Sequence, residues 1–160
     1  MTTIREITPD DLDVVVVLEL EVFASRAWSP RSVEDEFAGL GDTRLMWLAE
    51  AAADEDGVRP VGYAVGRYVD DVADLQRVAV LPSARRHGTG GRLVEQVVEA
   101  ARDRGCARVL LEVAADNEAA LAVYERHGFT EIDRRPRYYP GDVDALILQR
   151  SLGDQAAERG

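Results

Sequence analysis

Residues 84–91, which read ARRHGTGG, constrain the fold of this chain more than any other stretch. They follow an alternating apolar segment, 73–81, and precede apolar residues at helical spacing that end at Gly105. This order predicts a strand, a glycine-rich loop and a helix. The backbone N–H groups of such a loop and of the helix N-terminus converge on one spot of partial positive charge, which suits a phosphate.

Two nucleotide-binding motifs do not fit this loop. A Walker loop requires Gly-Lys-Ser/Thr, and the chain contains no lysine. A dinucleotide fingerprint requires a third glycine three positions after Gly90, where Leu93 stands. A glycine-rich turn with solvated arginines, among them Arg85, Arg86 and Arg92, stays open as the alternative to a phosphate site.

The rest of the chain alternates between strand-like and helix-like patterns. Strands are predicted at 2–7, 43–51, 61–69, 73–81, 108–114, 129–133 and 143–148. Helices are predicted from Pro9 to about Ala24, at 30–39, after the glycine loop, and at 117–127 with Gly128 as the C-cap. The class is α/β with a mixed sheet, in a single domain over residues 1–152, and 153–160 are predicted to form a flexible tail.

Composition narrows the classes of partner. The formal net charge of −11 disfavours nucleic acid, because lysine and arginine supply most of the affinity for phosphate backbones. A basic partner is favoured instead, although an acidic surface can also serve solubility alone. The longest aliphatic run, 14–18, is far shorter than the roughly 20 residues that span a bilayer. With an acidic N-terminus that lacks a secretory pattern, we expect a cytoplasmic protein that does not enter membranes.

Three polar residues that follow the glycine loop are candidates for chemistry. Glu112 interrupts the aliphatic run VLLEVA, where it is either a base set among buried side chains or a carboxylate facing water. Asn117 is well placed to cap the helix that follows. Tyr124 lies on one helical face with Ala120 and His127, and from spacing alone a core aromatic is the favoured interpretation.

The glycine loop resembles the cofactor signature of the GNAT acetyltransferases. The match is Arg85-x-x-Gly88-x-Gly90, directly after the strand LQRVAVLP. The resemblance implies a GNAT fold, with a mixed, mostly antiparallel central sheet of six to seven strands flanked by about four helices. It also implies that the cosubstrate is acetyl-CoA. The implied contacts are the backbones of Val78, Ala79 and Val80 to the pantetheine arm, and Arg85, Arg86, His87, Gly88, Thr89, Gly90 and Gly91 around the pyrophosphate. Gly91 departs from the pattern, since many relatives carry a side chain there.

The segment LLEVAADNEAALAVYERHGF is similar to that of the RimI branch of GNAT enzymes, which acetylate the N-terminal amine of a ribosomal protein. That likeness implies that Glu112 is the proton acceptor, Asn117 contacts coenzyme A and Tyr124 is the proton donor. It implies that the acceptor is a basic protein N-terminus, with the N-terminal alanine of small-subunit ribosomal protein eighteen expected. Trp28, Tyr138 and Tyr139 lie in stretches that resemble the family's start and end, and they are candidate walls of a peptide site.

Other functions stay open at this point. The same cofactor motif serves enzymes that acetylate lysine side chains or small amines, and a non-catalytic module could bind acetyl-CoA as a sensor. Cys106, the single cysteine, has no neighbouring base and is expected to be a small buried residue. His87 and His127 have no partners at metal-ligand spacing, so no metal is expected. A monomer is favoured.

Overall fold

The computed structural model of the chain describes residues 2–55 and 57–153. Within them the strands are β1 (Thr2–Glu6), β2 (Arg44–Ala52), β3 (Val58–Val69), β4 (Val72–Val80), β5 (Arg108–Ala114), β6 (Thr130–Tyr139) and β7 (Val143–Ser151). The α-helices are α1 (Leu12–Phe23), α2 (Pro30–Ala38), α3 (Thr89–Asp103) and α4 (Glu118–Arg126). The predicted α/β class and the order of strands and helices are confirmed.

The described strands form one seven-stranded sheet in the order β1-β2-β3-β4-β5-β7-β6. Its pairs are antiparallel except for β4 with β5, which are parallel. The connection between those two contains the glycine loop and α3, as a parallel pair requires a crossover. The loop therefore lies at the carboxyl end of β4, where ligands of open sheets bind.

A bulge in β4 separates it from β5. In the pairing with β3, Val65 lies opposite Arg77 and Gly66 opposite Leu75, which leaves Gln76 as one extra residue in β4. A bulge bends its strand and increases the local twist. Parallel pairing with β5 covers only residues 72–74 of β4, immediately before the bulge. Beyond it the two strands part, and a gap opens in the sheet toward the glycine loop.

Helices cover both faces of the sheet. The face covered by α3 and α4 holds the larger apolar cluster, in which α3 buries Leu93, Val94, Val97, Val98 and Ala101. These positions recur at helical spacing, which is why the sequence predicts this helix well. The opposite face packs on α1 and α2 through a second cluster that includes Val15, Leu18 and Val33.

Some boundaries differ from the predicted ones. β3 begins three residues before the predicted position, and β6 continues to Tyr139 rather than ending at Asp133. The continuation of β6 is charged and exposed, because this strand lies at the edge of the sheet. Leu152, the predicted end of the domain, is buried and donates its N–H to the Ala107 carbonyl. Of the predicted tail, residues 154–160 lie outside the described residues.

The described part of the chain has no helix that is both long enough and apolar enough to cross a membrane.

Substitution of Gly62 in β3 tests how closely β3 packs against β4 beside the gap. A Cβ atom at this position would lie 2.5 Å from the carbonyl oxygen of Ala79 in β4, and a backbone atom cannot move away without disturbing the pairing. We expect Gly62→Ala to lower the free energy of unfolding by about 1–3 kcal/mol, measured by urea denaturation.

Gly57→Ala is the matched control for this substitution, since its nearest contact would be an ordinary 3.7 Å. It should change the stability by less than about 0.5 kcal/mol. Equal stabilities of the two variants would contradict the close approach at Gly62.

Candidate active site

The gap between β4 and β5 exposes a free strand edge. Leu81 donates its N–H to the Val61 carbonyl of β3. Hydrogen-bonded and non-hydrogen-bonded pairs alternate along antiparallel strands, so Ala79 exchanges its backbone bonds with β3. Val78 and Val80 therefore direct their N–H and carbonyl groups into the gap. Of the three residues predicted to contact a ligand through the backbone, these two direct their backbone groups toward the gap, where such a ligand would lie.

The glycine loop ends in an open helix N-terminus. Arg86 and Gly88 have positive φ values of 71° and 77°, and Gly88 is the N-cap residue of α3. The first bond of the helix runs from the Arg92 N–H to the Gly88 carbonyl. The N–H groups of residues 89–91 consequently have no acceptor among the described residues, as is usual in a first helical turn. They lie at the place where the sequence predicts that an anion binds.

The arginines near the loop are not equivalent. Arg86 is exposed, as are His87 and Gly88 beside it. Arg85 donates from Nε to the Val80 carbonyl at 3.2 Å, which places its guanidinium at the mouth of the gap. Arg92 instead donates to the Thr2 carbonyl at 2.8 Å and links α3 to β1. Arg92 is therefore engaged with β1 in this structure.

Thr89 begins α3 with its side chain only 2% exposed, and its hydroxyl has no hydrogen-bond partner within the described chain. A buried hydroxyl without a partner destabilises a fold, so its presence in a native structure calls for an explanation. The group lies in the loop that the resemblance assigns to the pyrophosphate.

Gly91 is buried because a histidine occupies the space of its missing side chain. A Cβ atom there would collide with the His127 ring. His127 ends α4, and its Nδ1 lies 2.8 Å from Glu95 of α3. Arg150 of β7 donates to the same carboxylate at 2.8 Å. Burial opposes the charge on Glu95, yet these two hydrogen bonds hold its pKa below the ordinary value. The departure at Gly91 therefore belongs to a close contact between α3 and α4.

Glu112 lies on β5 with its side chain exposed. Its neighbours Leu111 and Val113 face the α3 cluster, so Glu112 points to the opposite face, on the α1 side. Tyr139, at the end of β6, donates its hydroxyl to Glu112 Oε1 at 3.0 Å. Burial, followed by this hydrogen bond, raises the pKa of Tyr139 to about 12. Of the two interpretations open for Glu112, the solvent-facing carboxylate is the one observed.

Tyr124 lies on the other face of the sheet. It packs beside the α3 cluster and meets Phe129 edge to face at 5.9 Å between ring centroids. Burial raises its pKa to about 12, and the nearby charge of Arg77 offsets part of that rise. Among the described residues its hydroxyl has no hydrogen-bond partner, so the proton is free for another acceptor. Asn117 caps α4 by accepting from the Ala120 N–H at 3.2 Å, which confirms its predicted structural role.

A buried ion pair beside Trp28 was not predicted from the sequence. Glu19 of α1 is 0% exposed and accepts two bonds from Arg77 of β4, at 2.8 and 3.1 Å. It also accepts the Tyr63 hydroxyl and, at 2.8 Å, the backbone N–H of Trp28. The available signal was helical spacing, because Glu19 follows the buried Val15 by four residues.

The remaining predicted residues take simpler positions. Tyr138 is 53% exposed and packs edge to face on Tyr139, with 5.1 Å between the centroids. Cys106 is buried, as predicted, and burial raises the pKa of its thiol, which disfavours a nucleophilic role. Over residues 2–55 and 57–153, no three His, Cys, Asp or Glu side chains are grouped as a metal site would require.

Comparison with known proteins gives consistent results. Residues 14–129 match the acetyltransferase (GNAT) family. The ribosomal protein bS18-alanine N-acetyltransferase of Salmonella typhimurium is 35% identical over 151 residues, covering 92% of this chain and 96% of that protein. The N-alpha-acetyltransferase RimI of Mycobacterium tuberculosis is 30% identical over 158 residues, covering 95% of this chain and 94% of that protein.

A solved structure agrees with these relatives. The crystal structure of the ribosomal-protein-S18-alanine N-acetyltransferase from Escherichia coli superimposes with a TM-score of 0.82 at 31% sequence identity. The alignment covers 96% of this chain and 95% of the other.

The hydrogen bond to Glu112 predicts that Tyr139 titrates above its ordinary pKa. Since the pKa of Tyr139 lies above its ordinary value of 10.0, the bond stabilises the fold below that pH, and this contribution is lost as the pH rises toward 12. In Glu112→Gln, burial persists but the carboxylate is gone, so the pKa of Tyr139 should fall from about 12 toward 10.0.

Tyrosinate absorbance measures this titration, and Tyr139→Phe identifies the signal. Glu118→Gln, an exposed carboxylate at the start of α4, is the control and should leave the midpoint unchanged. An unchanged midpoint in Glu112→Gln would show that the two side chains do not interact in solution.

The contact between Gly91 and the His127 ring predicts that the effect of Gly91→Ala on stability changes sign when His127 is removed. In the parent chain, Gly91→Ala should lower the free energy of unfolding by about 1–3 kcal/mol through overpacking. In a His127→Ala background the space is free, and the same substitution should be neutral or stabilising by up to about 1 kcal/mol. Gly90→Ala, whose nearest contact would be 3.7 Å, is the matched control. Equal effects in both backgrounds would argue against the contact.

Proposed function

The chain belongs to the GNAT family of acetyltransferases, and on that basis we propose that it transfers the acetyl group of acetyl-CoA to the N-terminal alanine of small-subunit ribosomal protein bS18. The family assignment rests on the match over residues 14–129 and on relatives that align along nearly the whole chain. The acceptor is proposed because the Salmonella and Escherichia coli relatives carry that activity in their names. A cytoplasmic location follows from such an acceptor.

One observation carries the chemical part of the proposal. The gap between β4 and β5 ends at an open helix N-terminus, Glu112 of β5 lies on the α1 side of the sheet, and Tyr124 packs against the apolar cluster on the α3 side. An acetyl group brought into the gap along β4 would lie between a base and an acid. This is the arrangement that acyl transfer to an amine requires.

The loop and the strand edge fit coenzyme A. The free N–H groups of residues 89–91 would bind the pyrophosphate, with Arg85 and Arg86 adding charge-assisted contacts from the mouth of the gap. His87 and Gly88 complete the loop. Val78 and Val80 would bond the pantetheine arm, while Ala79 maintains the pairing with β3. Asn117 has a free amide N–H₂ group, because its carbonyl oxygen caps α4, and that group would be its contact to the cofactor.

In the proposed reaction, the acceptor attacks as a neutral amine, and Glu112 removes, directly or through water, the proton that the nitrogen loses as it bonds to the carbonyl carbon. An α-amino group has a pKa of about 8, so part of it is already neutral at about pH 7 and a weak base is sufficient. The thioester supplies the electrophilic carbonyl carbon. A bond forms from the amine nitrogen to that carbon, and the carbon–sulfur bond breaks. A backbone N–H of the 78–80 strand stabilises the oxyanion. Tyr124 gives its proton to the departing thiolate, and solvent returns the proton from Glu112 to Tyr124.

Trp28, Tyr138 and Tyr139 are proposed as walls of the acceptor site. Tyr139 contacts Glu112, and Trp28 packs on the same face of the sheet, the one covered by α1 and α2. The net charge of −11 would favour encounter with a basic N-terminus. We propose that the chain acts as a monomer.

A wider acceptor range is the second candidate. The Mycobacterium tuberculosis relative, aligned over 95% of this chain, is named an N-alpha-acetyltransferase without a single target. Acetylation of other protein N-termini would use the same site. A lysine side chain, with a pKa of about 10.4, would demand more of an exposed carboxylate base.

The proposed roles predict that Glu112→Gln and Tyr124→Phe each lower kcat/KM by about 10²–10⁴-fold, because each variant loses one proton transfer. The assay measures coenzyme A release with three peptides: the free N-terminus of bS18, its N-blocked form and a lysine peptide. Both variants should still be stabilised by acetyl-CoA against thermal unfolding, whereas ATP and NAD should stabilise none of them.

Glu118→Gln is the control and should retain full activity. Turnover that persists in Glu112→Gln would remove the proposed base. Binding of acetyl-CoA without turnover on any peptide would favour a sensor over an enzyme.

A further inference from the structure

The segment between α1 and α2, residues 24–29, begins with a short 3-10 turn, Ala24–Arg26, and contains one residue with unusual backbone angles. Ala24 has a φ of 50° and a ψ of −115°, a combination that L-residues rarely adopt. Such backbone persists only where surrounding contacts determine it. Besides the bond from the Ala27 N–H to the Ala24 carbonyl within the segment, the contacts come from a buried pair, Glu19 and Arg77.

The pair holds the segment at three points. Glu19 accepts the backbone N–H of Trp28 at 2.8 Å. Arg77 donates to the Arg26 carbonyl at 3.2 Å. The Arg77 guanidinium also lies between two rings, 3.6 Å from the centroid of Phe23 and 4.8 Å from that of Trp28. A planar guanidinium can make bidentate bonds and stack on rings at once, which the ammonium of lysine cannot do.

Arg77 also adjoins the reacting end of the gap. It is the residue before Val78 and directly follows the bulged Gln76 in β4. Its charge offsets part of the rise in the pKa of both Tyr124, the proposed acid, and Tyr139, the partner of Glu112. The Glu19–Arg77 pair thus connects the strand edge that would hold the cofactor to the segment that would face the acceptor.

Stability alone is a weak reason for this arrangement. Removing two charges from water costs free energy, and well-packed apolar residues often replace a buried ion pair without loss. The ion pair instead fixes the orientation of the groups that it contacts, because each of its hydrogen bonds requires a defined geometry.

We propose that Arg77, held by Glu19, is a positioning residue that fixes Trp28 as a wall of the acceptor site. The fixed Trp28 then restricts the first residue of the acceptor to a small side chain. This inference rests on the proposed function. Without the pair, the segment would move away from the gap, alanine-starting peptides would bind less tightly, and larger first residues would be excluded less strongly.

The first test compares acceptor kinetics. Arg77→Met leaves the buried Glu19 carboxylate unpaired and could unfold the chain. The double variant Glu19→Gln/Arg77→Met removes that orphan charge and is the working variant. It should raise the KM for an alanine-starting peptide about tenfold, leave the Kd for acetyl-CoA within about twofold, and reduce the preference for alanine over leucine as first residue.

Two further variants define the cause. Arg77→Lys keeps the positive charge but loses the planar guanidinium. It should therefore also raise the KM for the alanine-starting peptide and reduce the preference for alanine. Arg67→Met is the matched control, since Arg67 pairs with Asp74 in the closed part of the sheet, with 3.8 Å between the charged atoms. It should leave the KM and the preference unchanged. A folded double variant with the parent's KM and preference would overturn the proposal.

A second readout is independent of activity. Trp28 and Trp47 are the only tryptophans, and Trp47 is buried against the other face of the sheet. In the double variant, acrylamide should quench the Trp28 fluorescence more strongly, and Trp28→Phe should abolish this difference. If the parent chain acetylates no amine but the quenching rises, the proposed function fails while the clamp on Trp28 stands. Unchanged quenching refutes the clamp whatever the activity.

Discussion

The extra residue at Gln76 is the constraint on which the rest of the structure depends. Without it, β4 would continue beside β5 as an ordinary parallel pair, and the backbone groups of both strands would be satisfied by each other. The bulge ends that pairing after Asp74 and leaves Val78 and Val80 with free edges. An exposed strand edge is normally a liability, but here it opens onto the glycine loop, where an extended ligand arm can bond to it.

The two faces of the sheet make different contributions at this gap. The α3 face is the larger apolar core, and it supplies a helix N-terminus together with a partly buried tyrosine, Tyr124. The α1 face supplies Glu112, exposed and held by Tyr139, and a segment clamped by the Glu19–Arg77 pair. Burial raises the pKa of Tyr124, while Glu112 is exposed to solvent. The proposed division of acid and base thus follows from which face each residue occupies.

Much of the fold and part of the site could be predicted from sequence. The strand and helix order, the mixed sheet and the GNAT family are confirmed, because apolar periodicity and the Arg85-x-x-Gly88-x-Gly90 motif are local signals. The full length of β6 could not be predicted, since an exposed edge strand lacks apolar alternation. The same holds for Gly91, whose burial depends on the His127 ring of another helix.

The sequence by itself determined the elements, the anion-binding loop and the residue types available for proton transfer, because each is set by neighbours a few positions away. Only the tertiary structure decided how they are used. The bulge directs Val78 and Val80 into the gap and Ala79 toward β3, and it brings Arg77 to Glu19, 58 positions earlier in the chain. These outcomes depend on strand register and helix packing, which join residues distant in sequence and leave no periodic trace in it.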